Sequence, residues 1–169
     1  MEEIELDLID IKLLECLQDD ASLSNQTLAG RVHVSPPTCL RRVKRLRDAG
    51  LIERQITVLN PDRLAGMLGC GLTVLVEISL DRQGAEWLDT LEARLVADDA
   101  VQQCYRVSPG PDFVVLVHVV DMPAYLALAQ RLFTQDANVR NVKAYFSVKR
   151  AKFQPKVLLV QSHRRSLAI

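Results

Sequence analysis

Two residues, His33 and Val34, separate what the sequence marks as two helices, and no other feature constrains the fold as strongly. Ser24 is placed to cap a helix whose inner face carries Leu28, Ala29 and Val32. Ser35 is placed to cap the next, with Pro36 at the first helical position, where a missing N–H costs nothing. Gly50 ends that helix as a C-terminal cap. A helix before the pair starts at Asp7 and repeats Ile9, Leu13 and Leu17, with Leu14 beside them, until Asp19-Asp20 closes it. Three short helices joined by one tight turn are the pattern of a helix-turn-helix.

The helix after Ser35 divides by face. At about 100° per residue, Cys39, Leu40, Val43 and Leu46 are expected on the inner side, while Pro37, Thr38, Arg41, Lys44, Arg45 and Asp48 gather opposite. Arg42 and Arg47 flank the apolar stripe. Composition matters here because it hides this cluster. The 169 residues carry 21 basic and 21 acidic side chains, yet Arg31 to Arg54 holds seven basic residues against only Asp48 and Glu53. No acid follows Asp136, a stretch readable as a solvated edge or a further polyanion contact. The major groove of double-stranded DNA admits one α-helix, whose N-terminal residues reach base edges. Thr38 and Arg41 are therefore the candidates for base edges, Lys44, Arg45 and Arg42 the candidate phosphate contacts, and Ser35 and Pro37 further candidate DNA contacts at the helix start. A solvated charged face is the alternative, which the Ser-Pro start and the tight turn disfavour.

Leu51-Ile52 is expected to return to the core, Arg54 to Asn60 alternates like a strand, and the Gly-punctuated stretch from Leu64 to Gly71 reads as a linker. The expected division is a DNA-binding domain over 1–60 of winged helix-turn-helix type, a linker over 61–71, and an α/β domain over 72–169 for effector sensing and oligomerisation. Beyond the linker, strands over Leu72–Leu80, Val101–Val107, Phe113–Val120 and Val139–Lys149 alternate with helices over Ala85–Ala97 and Met122–Thr134. In the first helix Trp87 or Leu88, Leu91 and Leu95 face inward. The order β-α-β-β-α-β is ferredoxin-like and the class α+β. Both helices cover one sheet face. The other, expected to expose Val74, Val76, Val115 and Val117, is too apolar to leave in water, which predicts a homodimer.

Other function classes find no support. No apolar run approaches the ~18–20 residues that span a bilayer, and the acidic start (Glu2, Glu3, Glu5, Asp7) is unlike a signal peptide, so a cytoplasmic protein is expected. Cys16, Cys39, Cys70 and Cys104 are scattered among apolar neighbours and read as reduced thiols. With His33, His118 and His163 equally dispersed, no metal site is expected. No phosphate-cradling glycine loop or Ser-His-Asp set is legible, so neither catalytic residues nor a cofactor are expected.

Several strings resemble the Lrp/AsnC (leucine-responsive/asparagine, feast/famine) family of transcriptional regulators over nearly the whole chain. They are Leu6-Asp7 with Asp10, Leu13-Leu14 and Leu17, and Leu28-Ala29 followed by Val34-Ser35-Pro36, Cys39-Leu40-Arg41-Arg42-Val43, Leu46 and Gly50-Leu51-Ile52. Leu59-Asn60-Pro61, Asp121-Met122 with Tyr125, and Val139 with Val142 continue the match. The resemblance implies an amino-acid-responsive, nucleoid-associated regulator whose effector domains pair into dimers and often octamers. It implies a small-molecule effector between neighbouring domains, near the turn before the domain's third strand. That family turn usually reads Gly-x-Tyr/Phe-Asp; here it is Pro109-Gly110-Pro111-Asp112-Phe113, with the glycine displaced and two prolines added. Gly110, Asp112, Met122, Tyr125 and Ser147 are the candidate effector residues. Asp112 suits a ligand's ammonium or a simple turn cap, core packing is the default for Met122 and Tyr125, and a structural role for Ser147. The alternatives are a small-molecule-binding α/β protein and a ligand-independent architectural DNA-binding protein.

Overall fold

A computed structural model describes residues 5–69 and 71–159. The chain forms two compact units, one of residues up to Val58 together with those from Phe153 onward, the other Leu59–Lys152. Cys70, His163, Arg164, Arg165, Glu2 and Glu3, which entered the sequence reading, lie outside the described residues.

In the first unit α1 spans Leu8–Asp19, α2 Asn25–Arg31 and α3 Pro36–Asp48. Each start is capped by the side chain expected to do it. Asp7 Oδ1 accepts from the backbone N–H groups of Ile9 and Asp10, both at 2.9 Å, and Asp10 returns the bond to the Asp7 N–H at 3.2 Å. This reciprocal capping box satisfies donors that α1 cannot pair internally. Ser24 and Ser35 accept from the N–H of Thr27 and Thr38. The turn into α3 places His33 at φ 56° and closes with Val34 N–H donating to Ala29 O at 3.0 Å. At the far end Gly50 adopts φ 72°, Gly50 N–H donates to Arg47 O and Leu51 N–H to Leu46 O. That pair of bonds is a Schellman closure, which needs a left-handed residue here.

Leu13, Leu14, Leu28, Ala29, Val32, Cys39, Val43 and Leu46 form the core of this unit, with Ile9, Leu17 and Ile52 packed against it. Two expectations are corrected. Leu40 is 62% exposed rather than core, because it sits about 100° around the helix from Cys39. Arg54 to Asn60 forms no strand: Ile56, Val58 and Leu59 are exposed, and no described strand runs beside them to take their backbone hydrogen bonds. The returning tail packs here too. Gln18 donates through Nε2 to Val157 O at 3.2 Å and accepts from Val157 N–H at 2.7 Å. Lys156 pairs with Asp19.

In the second unit the stretch expected as a linker contains a helix, α4 (Pro61–Leu68), capped by Asn60 with Pro61 at its first position. Then follow β1 (Leu72–Leu80), α5 (Ala85–Val96), β2 (Val101–Arg106), β3 (Phe113–Val119), α6 (Met122–Ala129) with a closing π-helical turn (Gln130–Thr134), and β4 (Val139–Phe146). The sheet is antiparallel in the order β2-β3-β1-β4, the ferredoxin-like arrangement. Leu91 and Leu95 of α5 and Tyr125, Leu128, Leu132 and Phe133 of α6 and its π turn share one core with Val74, Val76, Ile78, Phe113, Val115 and Val117. Both helices therefore cover the same sheet face, with Leu88 partly buried and Trp87 at the surface under the Arg82 guanidinium, 5.3 Å from the ring centroid.

This reverses the expected sheet orientation. Val74, Val76, Val115 and Val117 are fully buried beneath the helices. The open face presents Leu75, Glu77, Val114, Leu116, Tyr105, Lys143 and Tyr145, which alternate with them in register. Side chains alternate strictly along a strand, and burying each valine is worth roughly 1.5–3 kcal/mol. The valine-rich set therefore goes to the helices, which fill that side completely.

Candidate nucleic-acid interface and effector loop

Helix α3 is held in place from both neighbours. Asn25, in the first turn of α2, donates through Nδ2 to Pro36 O at 2.8 Å and pins the start of α3. From the other side Asp10 of α1, fully buried, receives two arginines of α3. Its Oδ1 accepts from Arg42 Nη1 at 2.8 Å, and its Oδ2 pairs with Arg45 Nη2. The same Arg42 nitrogen reaches Asp7 Oδ2 at 2.8 Å. Arg42 is thus turned toward α1, its Nε buried without a hydrogen-bond partner among the described residues. These carboxylates hold its guanidinium still more firmly protonated. The backbone N–H of Asp10, with help from Arg42, holds the Asp7 carboxyl below the usual range.

The remaining candidates face outward. Pro37, Arg41 and Lys44 are exposed, and Arg45 is partly exposed despite its ion pair. The Ser35 and Thr38 hydroxyls bond each other at 2.9 Å at the helix start. Arg47 is exposed and donates to Gln55 Oε1 at 3.2 Å. Of the seven expected DNA contacts, Ser35, Pro37, Thr38, Arg41, Lys44 and Arg45 share one accessible surface, and Arg42 is withdrawn from it. Sequence reasoning missed Asn25 and Asp10 as the residues that orient this surface. A polar residue at the start of α2 and an acid among the apolar positions of α1 were the available signals.

The candidate effector residues separate into two groups. Gly110 and Asp112 lie in the loop entering β3, and Gly110 has φ 127°, which only glycine adopts without strain. Met122 and Tyr125 follow the other end of β3. Ser147, exposed beyond β4, donates its N–H to Thr73 O at 2.9 Å at that same end. The seven residues of β3 put about 20 Å between the groups, so one chain does not bring them together. Tyr125 is a core residue, 6% exposed, its ring edge-on to Phe146 at 5.0 Å, and burial pushes its hydroxyl pKa up. Met122 is 43% exposed at the start of α6.

Asp112 has a structural task. Its Oδ2 accepts from Leu80 N–H at 2.7 Å, and its own N–H donates to Ile78 O at 2.8 Å, extending the β1–β3 ladder beyond Phe113. Asp112→Ala should therefore lower the unfolding free energy by about 1–2 kcal/mol, without any ligand present. Urea denaturation checks this, and an unchanged midpoint would show that water replaces the carboxylate. Burial raises the thiol pKa values of Cys39 and Cys104, which disfavours their thiolate forms.

Residues 6–53 match the winged helix-turn-helix DNA-binding family, and residues 73–157 match the Lrp/AsnC ligand binding domain. Among curated proteins, the chain is 34% identical to the Bkd operon transcriptional regulator of Pseudomonas aeruginosa, over 86% of this chain and 92% of that protein. It is 34% identical to the leucine-responsive regulatory protein of Haemophilus influenzae, over 87% of this chain and 86% of that one. Among solved structures, a transcriptional regulator of Neisseria meningitidis in complex with L-methionine superposes with a TM-score of 0.80 at 28% identity, covering 92% of this chain and 97% of its own. An AsnC family regulator of Agrobacterium tumefaciens gives the same score and identity over 91% and 97%.

Proposed function

Since the chain belongs to the Lrp/AsnC family of transcriptional regulators, we propose that it binds DNA sequence-specifically through α3 and answers to an amino acid or a related metabolite held between effector domains. The observation that carries the first part is the partition of the α3 arginines. Arg42 is tied inward to Asp7 and Asp10, while Arg41 and Lys44 stand free on the face that starts at Ser35 and Pro37. A helix fixed from behind and cationic in front suits the major groove. Arg41 then reads a base edge near the helix start, and Lys44 and Arg45 meet phosphates.

The second part rests on the separation of the effector candidates. A site using both the Gly110–Asp112 loop and the Met122 end of the sheet needs two subunits. The open sheet face supplies a reason for pairing: Leu75, Tyr105 and Tyr145 are 40%, 55% and 49% exposed there and flank Val114 and Leu116 in register. We take the dimer to form through this face, with an octamer as the larger family assembly. A ligand shared by two subunits favours one arrangement by its difference in affinity for the two, and so resets the spacing of the DNA-binding units. That the Neisseria relative holds L-methionine favours an amino acid. The setting of such regulation is the cytoplasm, at the nucleoid, where the DNA lies. No helix of the described residues is long and apolar enough to cross a membrane.

One titration tests the reading. The full chain is bound to duplex from its own upstream region at several salt concentrations, with and without each amino acid, while light scattering follows its mass. Affinity should fall with salt at a log–log slope of about −0.9 per phosphate contacted. The protein should run as a dimer or larger, and one amino acid should shift the curve. A monomer with salt-insensitive binding would end the proposal. Specific binding by an oligomer that no amino acid shifts would leave a ligand-independent DNA-binding protein.

A further inference from the structure

Leu40 is the residue of α3 that neither the core nor the ion-pair network accounts for. It is 62% exposed on a helix whose other apolar residues, Cys39, Val43 and Leu46, are at most 8% exposed. A single exposed leucine ordinarily needs no explanation. This one is distinguished by its neighbours. Pro37 and Lys44 stand three residues before and four after it, the spacings that make side chains adjacent on a helix. Arg41 follows directly, and all three are exposed. The result is a small apolar patch bordered by two cations, in the N-terminal half of α3.

The helix cannot easily roll to bury that patch. Asp10 holds Arg42 and Arg45 from one side, and Asn25 holds the Pro36 carbonyl from another. The cations draw a polyanion to this surface, and the occupant must then offer something apolar to Leu40. Among the base edges in the major groove, the C5-methyl of thymine is the apolar feature. We propose that Leu40 is a specificity-determining residue that packs on a thymine methyl in each half-site, with Pro37 beside it. The proposal deepens the DNA-binding reading of α3 and rests on it.

The test truncates each side of the contact, the thymine by its methyl and Leu40 by its isopropyl group. Duplexes are selected from a random pool with the full-length protein, and each thymine of the selected sequence is replaced in turn by deoxyuridine, which lacks only the methyl. At one position per half-site the unsubstituted protein should lose about fourfold in affinity, the value of one buried methyl. Leu40→Ala should bind the thymine duplex more weakly by at least as much and become indifferent to deoxyuridine at that position. Leu40→Met should keep the sensitivity. Indifference of the unsubstituted protein at every thymine, or an equal loss in Leu40→Ala, overturns the proposal while leaving the DNA-binding reading standing. Failure to enrich any duplex overturns both. A Leu40 that instead meets another protein would give selection without any deoxyuridine effect, and so counts against it.

Discussion

Asp10→Ala should destabilise the N-terminal unit by about 3 kcal/mol, within the range for losing one partner of a buried ion pair. The carboxylate is fully buried and entirely engaged: Oδ1 by Arg42, Oδ2 by Arg45 and by the Asp7 N–H. Alanine removes all of these acceptors at once. Arg42 keeps one carboxylate, Asp7, whose side chain is half exposed, and this places the loss near the lower end of the range. For a unit of this size that is a fall in melting temperature of roughly 12–24 °C, measurable by circular dichroism at the helix signal. Asp10→Asn retains one side-chain acceptor and should lose less. A fall below a few degrees for Asp10→Ala would mean that the arginines find water instead, and that the network does not hold α3.

Arg41→Ala should cost about 1–3 kcal/mol of DNA affinity, or roughly 5- to 150-fold, concentrated on one base pair of each half-site. Arg41 is exposed, unpaired with any described acid, and less than two helical turns from the Ser35 cap, in the half of α3 proposed to enter the groove. Lys44→Ala, three residues further along the same face, should weaken every sequence alike and make the salt dependence shallower by about one unit. Measuring both variants against the selected duplex and its single-base changes separates the roles. If Arg41→Ala lowers affinity equally for all bases, Arg41 contacts phosphate and the reading of bases falls to Thr38 and Leu40.

Leu40 and Arg42 of α3 show where a sequence stops being informative. Asp7, Ser24, Ser35 and Gly50 were legible as helix ends because a cap acts on backbone groups two to five residues away. The same grammar, Asn60 followed by Pro61, also announces α4, but Gly66 and Gly69 suggested a linker instead. Leu40 was misjudged because it lies at the edge of the apolar arc, where projection cannot say how wide the neighbouring helices are. The inward ion pairs of Arg42 are not legible because its partners are 32 and 35 residues away. A charge on a helix flank reads as solvent-facing until an acid is found buried behind it.

The effector unit divides along the same line. Alternation in β1 and β3 establishes two sets of side chains, Val74-Val76 with Val115-Val117 and Leu75-Glu77 with Val114-Leu116. It cannot say which set meets the helices, since both are largely apolar. Asp112 illustrates the same limit, as its acceptor role toward Leu80 exists only once β1 lies beside β3. What this sequence determined alone was the helices α1 to α3 with their caps, the β-α-β-β-α-β order of the second unit and the family it belongs to, all carried by local geometry and recurring strings. What tertiary structure decided was which face of each element is buried, that Arg42 and Arg45 answer to Asp10, and that the effector candidates stand at opposite ends of one sheet. Those are contacts between residues distant in the chain, and their energies depend on distances that exist only after the chain has folded.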